Sequence, residues 1–457
     1  MPYDAIGAID SSNTIATRML KFPNSGMGTL RAKIFPTLMN TRFFQYCHSI
    51  VLICAICAVG LAGLACGCKP TKNDLPERKV SQTAKRDGEQ KAGNTIPNVD
   101  TADGWHMFRG NPQSTGVANR ELADDLEVQW EFKVKKGAFG GTAAIVASGD
   151  EQVVYIGDLD GTLFSLDLNT GDKRWEFTSE SEIGYSASAS YRDGLIYIGD
   201  IDGMFYCIND KGEKVWSRQT DAEISSSANF YKENVLFGSQ DATLYCLNAK
   251  TGEEVWTLEA DDQIQCTPTI VDGRAFVAGC DASLHVIDLD SGEEVGSVEI
   301  ESPTGGTPAA IGDSVYFGTE QAGFLAVQWE QPKLKWRFSD ESGAAIRSNP
   351  AVIGNHVVYG AGDRIVRSLH PQTKKENWVR TLKAKIESSP VIAGDRVYIG
   401  SNDGRLYALK LSSGEVCWEK EFHGGFASSP AVAFGRMIIA TERGTVYCLG
   451  SKSTSPK

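Results

Sequence analysis

Seven tryptophans limit what this chain can fold into. Trp130, Trp175, Trp216, Trp256, Trp336, Trp378 and Trp418 lie 45, 41, 40, 80, 42 and 40 residues apart. The gap of 80 is two periods, and Gly296 stands at its middle, in "SGEEVGSVEI". Each Trp after Trp130 closes the same phrase, as in "YIGSNDGRLYALKLSSGEVCW", Tyr398 to Trp418. A unit of this length, made of short strands, cannot bury its own apolar face. It must stack on copies of itself, and a ring of blades has this period.

One unit divides into four strands: "SSPVIAG" (A), "RVYIGS" (B), "GRLYALKL" (C) and "EVCWEKEF" (D). Asp-Gly, Asn-Asp-Gly and Ser-Ser-Gly between them read as hairpin turns, whose Gly accepts positive φ. Eight A-to-C sets begin near Gly140, Gly184, Ser225, Gln265, Gly305, Arg347, Glu387 and Ala427. The last set has no strand D, whereas "LEVQWEFKV", residues 126–134, is a strand D with nothing before it. The expected fold is therefore all-β: an eight-bladed β-propeller of four-stranded antiparallel blades over residues 105–457. Its ring is closed by the N-terminal strand completing the last blade, which removes a free sheet edge. "WHMFRGNPQSTG", residues 105–116, is expected to pack under the ring. One Trp per unit at one register reads as docking between blades, which makes the Gly296 unit the softest joint.

The repeated phrase, "vYiGs.dG.lyaLd..tGe..W", resembles the PQQ-like repeat of the quinoprotein alcohol dehydrogenase-like propellers. The resemblance spans residues 105–450. It implies the propeller fold and leaves function open, because such repeats build calcium- and PQQ-dependent dehydrogenases as well as non-catalytic scaffolds. One of these scaffolds is the lipoprotein that assists outer-membrane β-barrel assembly. The dehydrogenases carry adjacent disulfide-bonded cysteines, a flat Trp floor and a Glu/Asn/Asp set holding calcium in the ring's mouth. This chain has no Cys-Cys pair. Of the positions that start each strand A, only Gln265, Arg347 and Glu387 have reach, with Tyr185 nearby. Arg347 and Glu387 are expected to pair with each other. No cofactor or metal is expected on this reading, and PQQ with calcium is the alternative.

Other residues read as structural. The Asp residues of "DLDG" and "DIDG" suit turns, since a strand follows at once and leaves no closing calcium ligand. His285 takes a strand C position held elsewhere by Tyr or Phe, so it reads as packing. Cys266 and Cys280 are expected to point to opposite faces and form no bridge. The six His form no paired catalytic motif.

The net charge of −13 excludes a nucleic-acid partner, because phosphate neutralisation needs clustered Lys and Arg. Ile50 to Cys68 is a 19-residue apolar run after Arg42, ending "GLACGC". It resembles a bacterial lipoprotein signal with Cys66 or Cys68 taking the lipid; an uncleaved anchor or ordinary cleavage also fits. All three place the propeller outside the cytoplasm, membrane-anchored and facing the periplasm or cell envelope. Residues 39–68 are the signal or anchor, and residues 1–38 read as an over-called extension. Residues 69–104, rich in charge and poor in large apolar side chains, form a flexible linker. The leading expectation is an envelope-anchored, non-catalytic scaffold for envelope proteins, acting in outer-membrane protein assembly. A PQQ-dependent dehydrogenase or PQQ-binding protein is one alternative, and a carbohydrate-binding or hydrolytic propeller the other. The Arg347–Glu387 sector and the loop "HPQTKKENW", 370–378, are the expected partner surface.

Overall fold

The computed structural model describes residues 103–339 and 342–452. The signal, the extension and nearly all of the linker, with Cys66 and Cys68, lie outside the described residues. Among the described residues, thirty-two strands form eight antiparallel four-stranded sheets, one per blade. Blade 1 is typical: Ala144–Ser148, Glu151–Gly157, Thr162–Asp167 and Lys173–Thr178 are its strands A to D, in spatial order. Blades 2 to 7 repeat this up to residue 421. Blade 8 takes strands A to C from Ala431–Ala433, Arg436–Ala440 and Thr445–Ser451, and its strand D is Leu126–Lys133. Leu126 faces Ser451 and Lys133 faces Thr445, so the N-terminal strand closes the ring as expected.

Strands B and C are buried on both faces, between neighbouring blades, and read as runs such as "VVYIG" and "LFSL". Strand D alternates, because its outer edge meets water. Every strand D carries a bulge at the residue before its Trp or, in blade 4, before Gly296. A bulge re-aims the next side chain. The indole Nε1 then donates to a C–D turn carbonyl of the following blade: Trp130 to Leu168 (2.8 Å), Trp175 to Asp210 (2.9 Å), Trp378 to Leu411 (2.7 Å). Trp216, Trp256 and Trp336 bond likewise to Ala249, Leu289 and Pro371. The turn glycine lies flat against this ring. At Gly414, φ is +67° and a Cβ would sit 2.4 Å from Trp378. Trp418 packs on the core shared with blade 8 without such a bond, because strands C and D of blade 8 come from opposite ends of the fold and no turn joins them.

The joint after Gly296 corrects the sequence expectation. Blade 5 supplies Trp329 from its own C–D turn, at the position where Ala249 and Leu289 sit in blades 3 and 4. Trp329 reaches back to blade 4 and meets Phe276 edge-on, with ring centroids 6.2 Å apart. Its Nε1 donates to Gly312 O at 3.0 Å, and Pro332 closes over Gly296. The aromatic has moved across the interface, and the joint is filled.

His285 is also more than packing. Its Nε2 lies 2.7 Å from Asp281 Oδ2 and its Nδ1 2.9 Å from Glu294 Oε2. Burial opposes the charged ring, but these two carboxylates outweigh it and raise the pKa above the ordinary 6.5. Cys266 and Cys280 form no disulfide.

Residues 103–118 form a strap against the inner strands. Backbone N–H groups of Ile145, Tyr191, Ile270, Ala310, Val352 and Ile392 donate to carbonyls of Trp105, His106, Pro112, Gln113, Thr115 and Gly116. Asn229 Nδ2 donates to Pro112 O, and Phe434 N to Asp103 Oδ1, so the strap is tied to all eight blades.

Two outcomes follow from this packing. Trp329→Ala should lower the unfolding free energy by about 3–5 kcal/mol in denaturant titration, as for any buried Trp; a loss below about 1 kcal/mol would show that the joint does not depend on it. A folded-state histidine pKa above 6.5 means the His285 contribution is complete below about pH 6.5 and is lost as pH rises through the folded value. The stability-versus-pH curve of His285→Gln should be flatter than that of the wild type across that window, and parallel curves would dismiss the ion-pair role.

Candidate functional site

Strand A is innermost in each blade, so eight strand starts converge on the axis. Two tiers of side chains line the resulting pit. At the mouth stand residues such as Ser186, Ser225, Gln265 and Glu387. Two residues deeper is a belt of seven hydroxyls and one amide. The N–H of Thr142 donates to Ser188 Oγ (2.8 Å), Ser188 to Ser227 (2.9 Å), Ser227 to Thr267 (3.1 Å) and Thr267 to Thr307 (3.0 Å). Thr307 then donates to Asn349 Oδ1 (2.6 Å), Asn349 to Ser389 (2.9 Å), Ser389 to Ser429 (2.9 Å) and Ser429 back to Thr142 (3.4 Å). The circuit is complete: each blade's amide is accepted by the next blade's side chain. Below it the strap closes the channel, with Phe108 as the floor. The pit that remains has a volume of about 190 Å³.

Beside the floor, Arg109 is 1% exposed. Its Nη2 donates to the carbonyls of Pro350 (3.0 Å) and Pro390 (2.6 Å). Equivalent carbonyls in other blades are served by Ser190, Asn229 and Thr269. Blades 5 and 6 have Ala309 and Ala351 at that position, and Arg109 makes up part of the deficit. Desolvation pushes its pKa down to about 9. Gly116 is required beside it: φ is +65° and a Cβ would lie 1.9 Å from Nη2.

The residues expected at the mouth separate. Gln265 and Glu387 line the pit. Arg347 makes no direct ion pair with Glu387, although its charge helps to lower the Glu387 pKa; it forks onto Glu320 with Nε and Nη2 contacts of 3.0 Å each. Glu387 instead accepts from Asn402 (2.8 Å) and Lys385 (3.0 Å). Burial opposes its charge, and these donors outweigh it, so its pKa is lowered. Adjacent blades offered each residue a nearer partner on its own side. Tyr185 is buried between blades 1 and 2 and does not line the pit; burial pushes its phenol up. It occupies the position of Ile224, Ile264, Ile346, Ile386 and Phe426, each of which sits under a strand B glycine. The mouth residue of blade 2 is thus Ser186, one step beyond Tyr185, and not Gly184. The pattern that marks the belt, a hydroxyl or amide two residues after every mouth position, is visible in all eight units but looks like ordinary strand composition.

The expected partner surface divides as well. Antiparallel strands alternate direction, so A–B and C–D turns share the strap face, and B–C turns and D–A connections share the mouth face. The 370–378 segment is a C–D turn, whose Pro371 carbonyl receives Trp336. It lies on the opposite face from Arg347 and Glu387. The Asp-rich turns spend their carboxylates on backbone: Asp158 Oδ1 accepts from Asp160 and Thr162, and Asp200 Oδ1 from Met204.

Calcium and a tricarboxylate quinone do not fit this pit. Its one carboxylate, Glu387, is already held, no Trp lines it, and Arg347 lies outside it. Among the described residues no group of three or more His, Cys, Asp or Glu is placed to hold a metal. Ser389→Ala removes one belt acceptor and leaves the Asn349 amide buried without a partner. The expected loss is about 1–3 kcal/mol in denaturant titration, and no loss would mean that the belt is dispensable.

Solved structures share this architecture. The quinohemoprotein alcohol dehydrogenase from Comamonas testosteroni superposes with a TM-score of 0.66 at 14% identity, covering 78% of this chain and 82% of that one. BamB from Moraxella catarrhalis gives 0.60 at 15% identity, covering 73% and 100%. The computationally designed Ika8 protein gives 0.62 at 17%, covering 71% and 100%. At these identities the likeness shows the fold alone. No curated protein sequence matches the chain. The family model described as "Outer membrane protein assembly factor BamB" matches residues 121–238, 212–304 and 362–453, well over half of the sequence. The chain therefore belongs to that family of PQQ-like repeat β-propellers.

Proposed function

We propose that the protein is a non-catalytic scaffold, held at the cell envelope by its N-terminal segment, that presents its mouth face to envelope proteins engaged in outer-membrane protein assembly. The observation that carries this reading is the state of the channel. It is closed on the strap side, and the mouth side chains with reach are paired with immediate neighbours. Glu387 with Lys385 and Asn402, and Arg347 with Glu320, form a rigid, charged surface and leave no nucleophile and base side by side. The family description, outer membrane protein assembly factor, supports the same process. A lipid on Cys66 or Cys68 would hold the propeller at a membrane through the 69–104 linker.

Photo-crosslinking in the intact envelope tests this. A benzophenone residue replacing Arg347 should yield a discrete adduct with an envelope assembly component, and one replacing Cys417 on an outer strand should not. Adducts from both positions alike, or from neither, would count against a mouth-face scaffold. Titration of the purified chain with PQQ and calcium should leave Trp fluorescence without saturable quenching at high-micromolar quinone. One-to-one saturation would return the reading to a quinoprotein.

A further inference from the structure

We infer that the pit binds a small monovalent anion, of halide or short-carboxylate size, at the level of the hydroxyl belt. The inference does not depend on the scaffold reading. It starts from the protons. Each of the seven belt hydroxyls accepts an amide N–H from the preceding blade, which occupies one of its lone pairs. None of the seven donates its own proton to a protein acceptor among the described residues, although each is 2–6% exposed. A buried hydroxyl proton seeks an acceptor. The only open direction is the pit, so the belt turns a ring of donors toward one point on the axis.

The charge beneath points the same way. Arg109 is a full positive charge with two neutral carbonyls as its partners, and its Nε and Nη1 have none among the described residues. A buried cation without a counter-charge is costly, and an anion nearby in a water-poor space offsets that cost. The carbonyls that hold Arg109 belong to Pro350 and Pro390, one residue below the belt members Asn349 and Ser389. The carboxylate that opposes an anion, Glu387, stands two residues above Ser389 and is neutralised by Lys385 at 3.0 Å. Outside the pit lining, Glu223 accepts from Ser186 Oγ at 2.9 Å and Glu320 is held by Arg347. Arg109 does not line the pit; it lies in the tier below the belt with no carboxylate partner among the described residues, whereas Glu387 lines the mouth beside the Lys385 ammonium.

The cavity also sets the size. About 190 Å³ closed by Phe108 admits a halide or acetate with a few waters, and it has a single opening. Gluconate, several times the volume of a halide, would have to displace nearly all of the water in the 190 Å³ pit to bring its carboxylate to the belt.

The test is to crystallise the full chain with bromide replacing chloride and to measure anomalous scattering. A bromide peak on the axis, within hydrogen-bonding distance of two or more belt hydroxyls, is the expected result. In solution at constant ionic strength, the unfolding temperature should rise saturably with bromide or acetate relative to gluconate. Ala427→Glu, which adds a carboxylate to the mouth, should weaken bromide about fivefold to tenfold; its unfolding in gluconate reports folding separately. Water alone at the belt, with bromide only on the outer surface, overturns the inference. So does identical stabilisation by bromide and gluconate.

Discussion

The belt of side chains around the axis is the interaction on which the ring depends. Eight innermost strands are eight sheet edges, and edges carry unpaired N–H and C=O groups. In this protein they are satisfied tier by tier. At the first tier each amide is accepted by the next blade's Ser, Thr or Asn. At the next, proline follows the belt residue in five blades, Pro268, Pro308, Pro350, Pro390 and Pro430, and so removes the donor altogether. The carbonyls of that tier go to Asn229, Thr269 and Arg109. The third tier pairs with the strap. Because every bond at the first tier joins two blades, no blade can tilt without stretching two of them.

A closed circuit still has a seam. The longest belt bond, Ser429 to Thr142 at 3.4 Å, joins blades 8 and 1. One joint earlier, Trp418 lacks the indole bond that six other tryptophans make. Both lie beside the blade assembled from two ends of the fold. The closing strand makes up for them in length. It pairs from Leu126 to Lys133, and Gln129 Nε2 and Glu127 add contacts to Ser451 and Lys452. Entropy of closure is met by backbone pairing where side-chain docking is weakest.

The architecture was legible in the sequence because the Trp period, turn glycines and strand alternation are local and repeat eight times. The site was less so, for three reasons. Blade 2, like blades 1 and 3, lacks the proline that anchors the register in the other five, and its Gly184-Tyr185 pair drew the mouth one step too early. The partners of Arg347 and Glu387 depend on side-chain direction, and residues on neighbouring blades lost to nearer groups, Glu320 and Lys385. The compensation for Gly296 sits in another unit, at Trp329, where a reading of each unit by itself finds only an extra aromatic. Arg109 carried no signal beyond its presence in the segment expected under the ring.

The strap decides what kind of opening the propeller has. Six strand A amides depend on its carbonyls, and Arg109 depends on the strand A carbonyls in return. Lifting it would expose those groups together with Trp105 and Phe108, so it is a structural floor and not a gate. A channel with such a floor has no through-path. Whatever reaches the axis enters and leaves by the mouth, past Gln265 and Glu387. The strap face is tied down across all eight blades, whereas the B–C turns and D–A connections on the mouth face, where Arg347 and Glu387 are paired with neighbouring side chains, are not covered by the strap. The two faces of the ring are unequal for the same reason that the ring is stable: one of them is occupied by the protein's own chain.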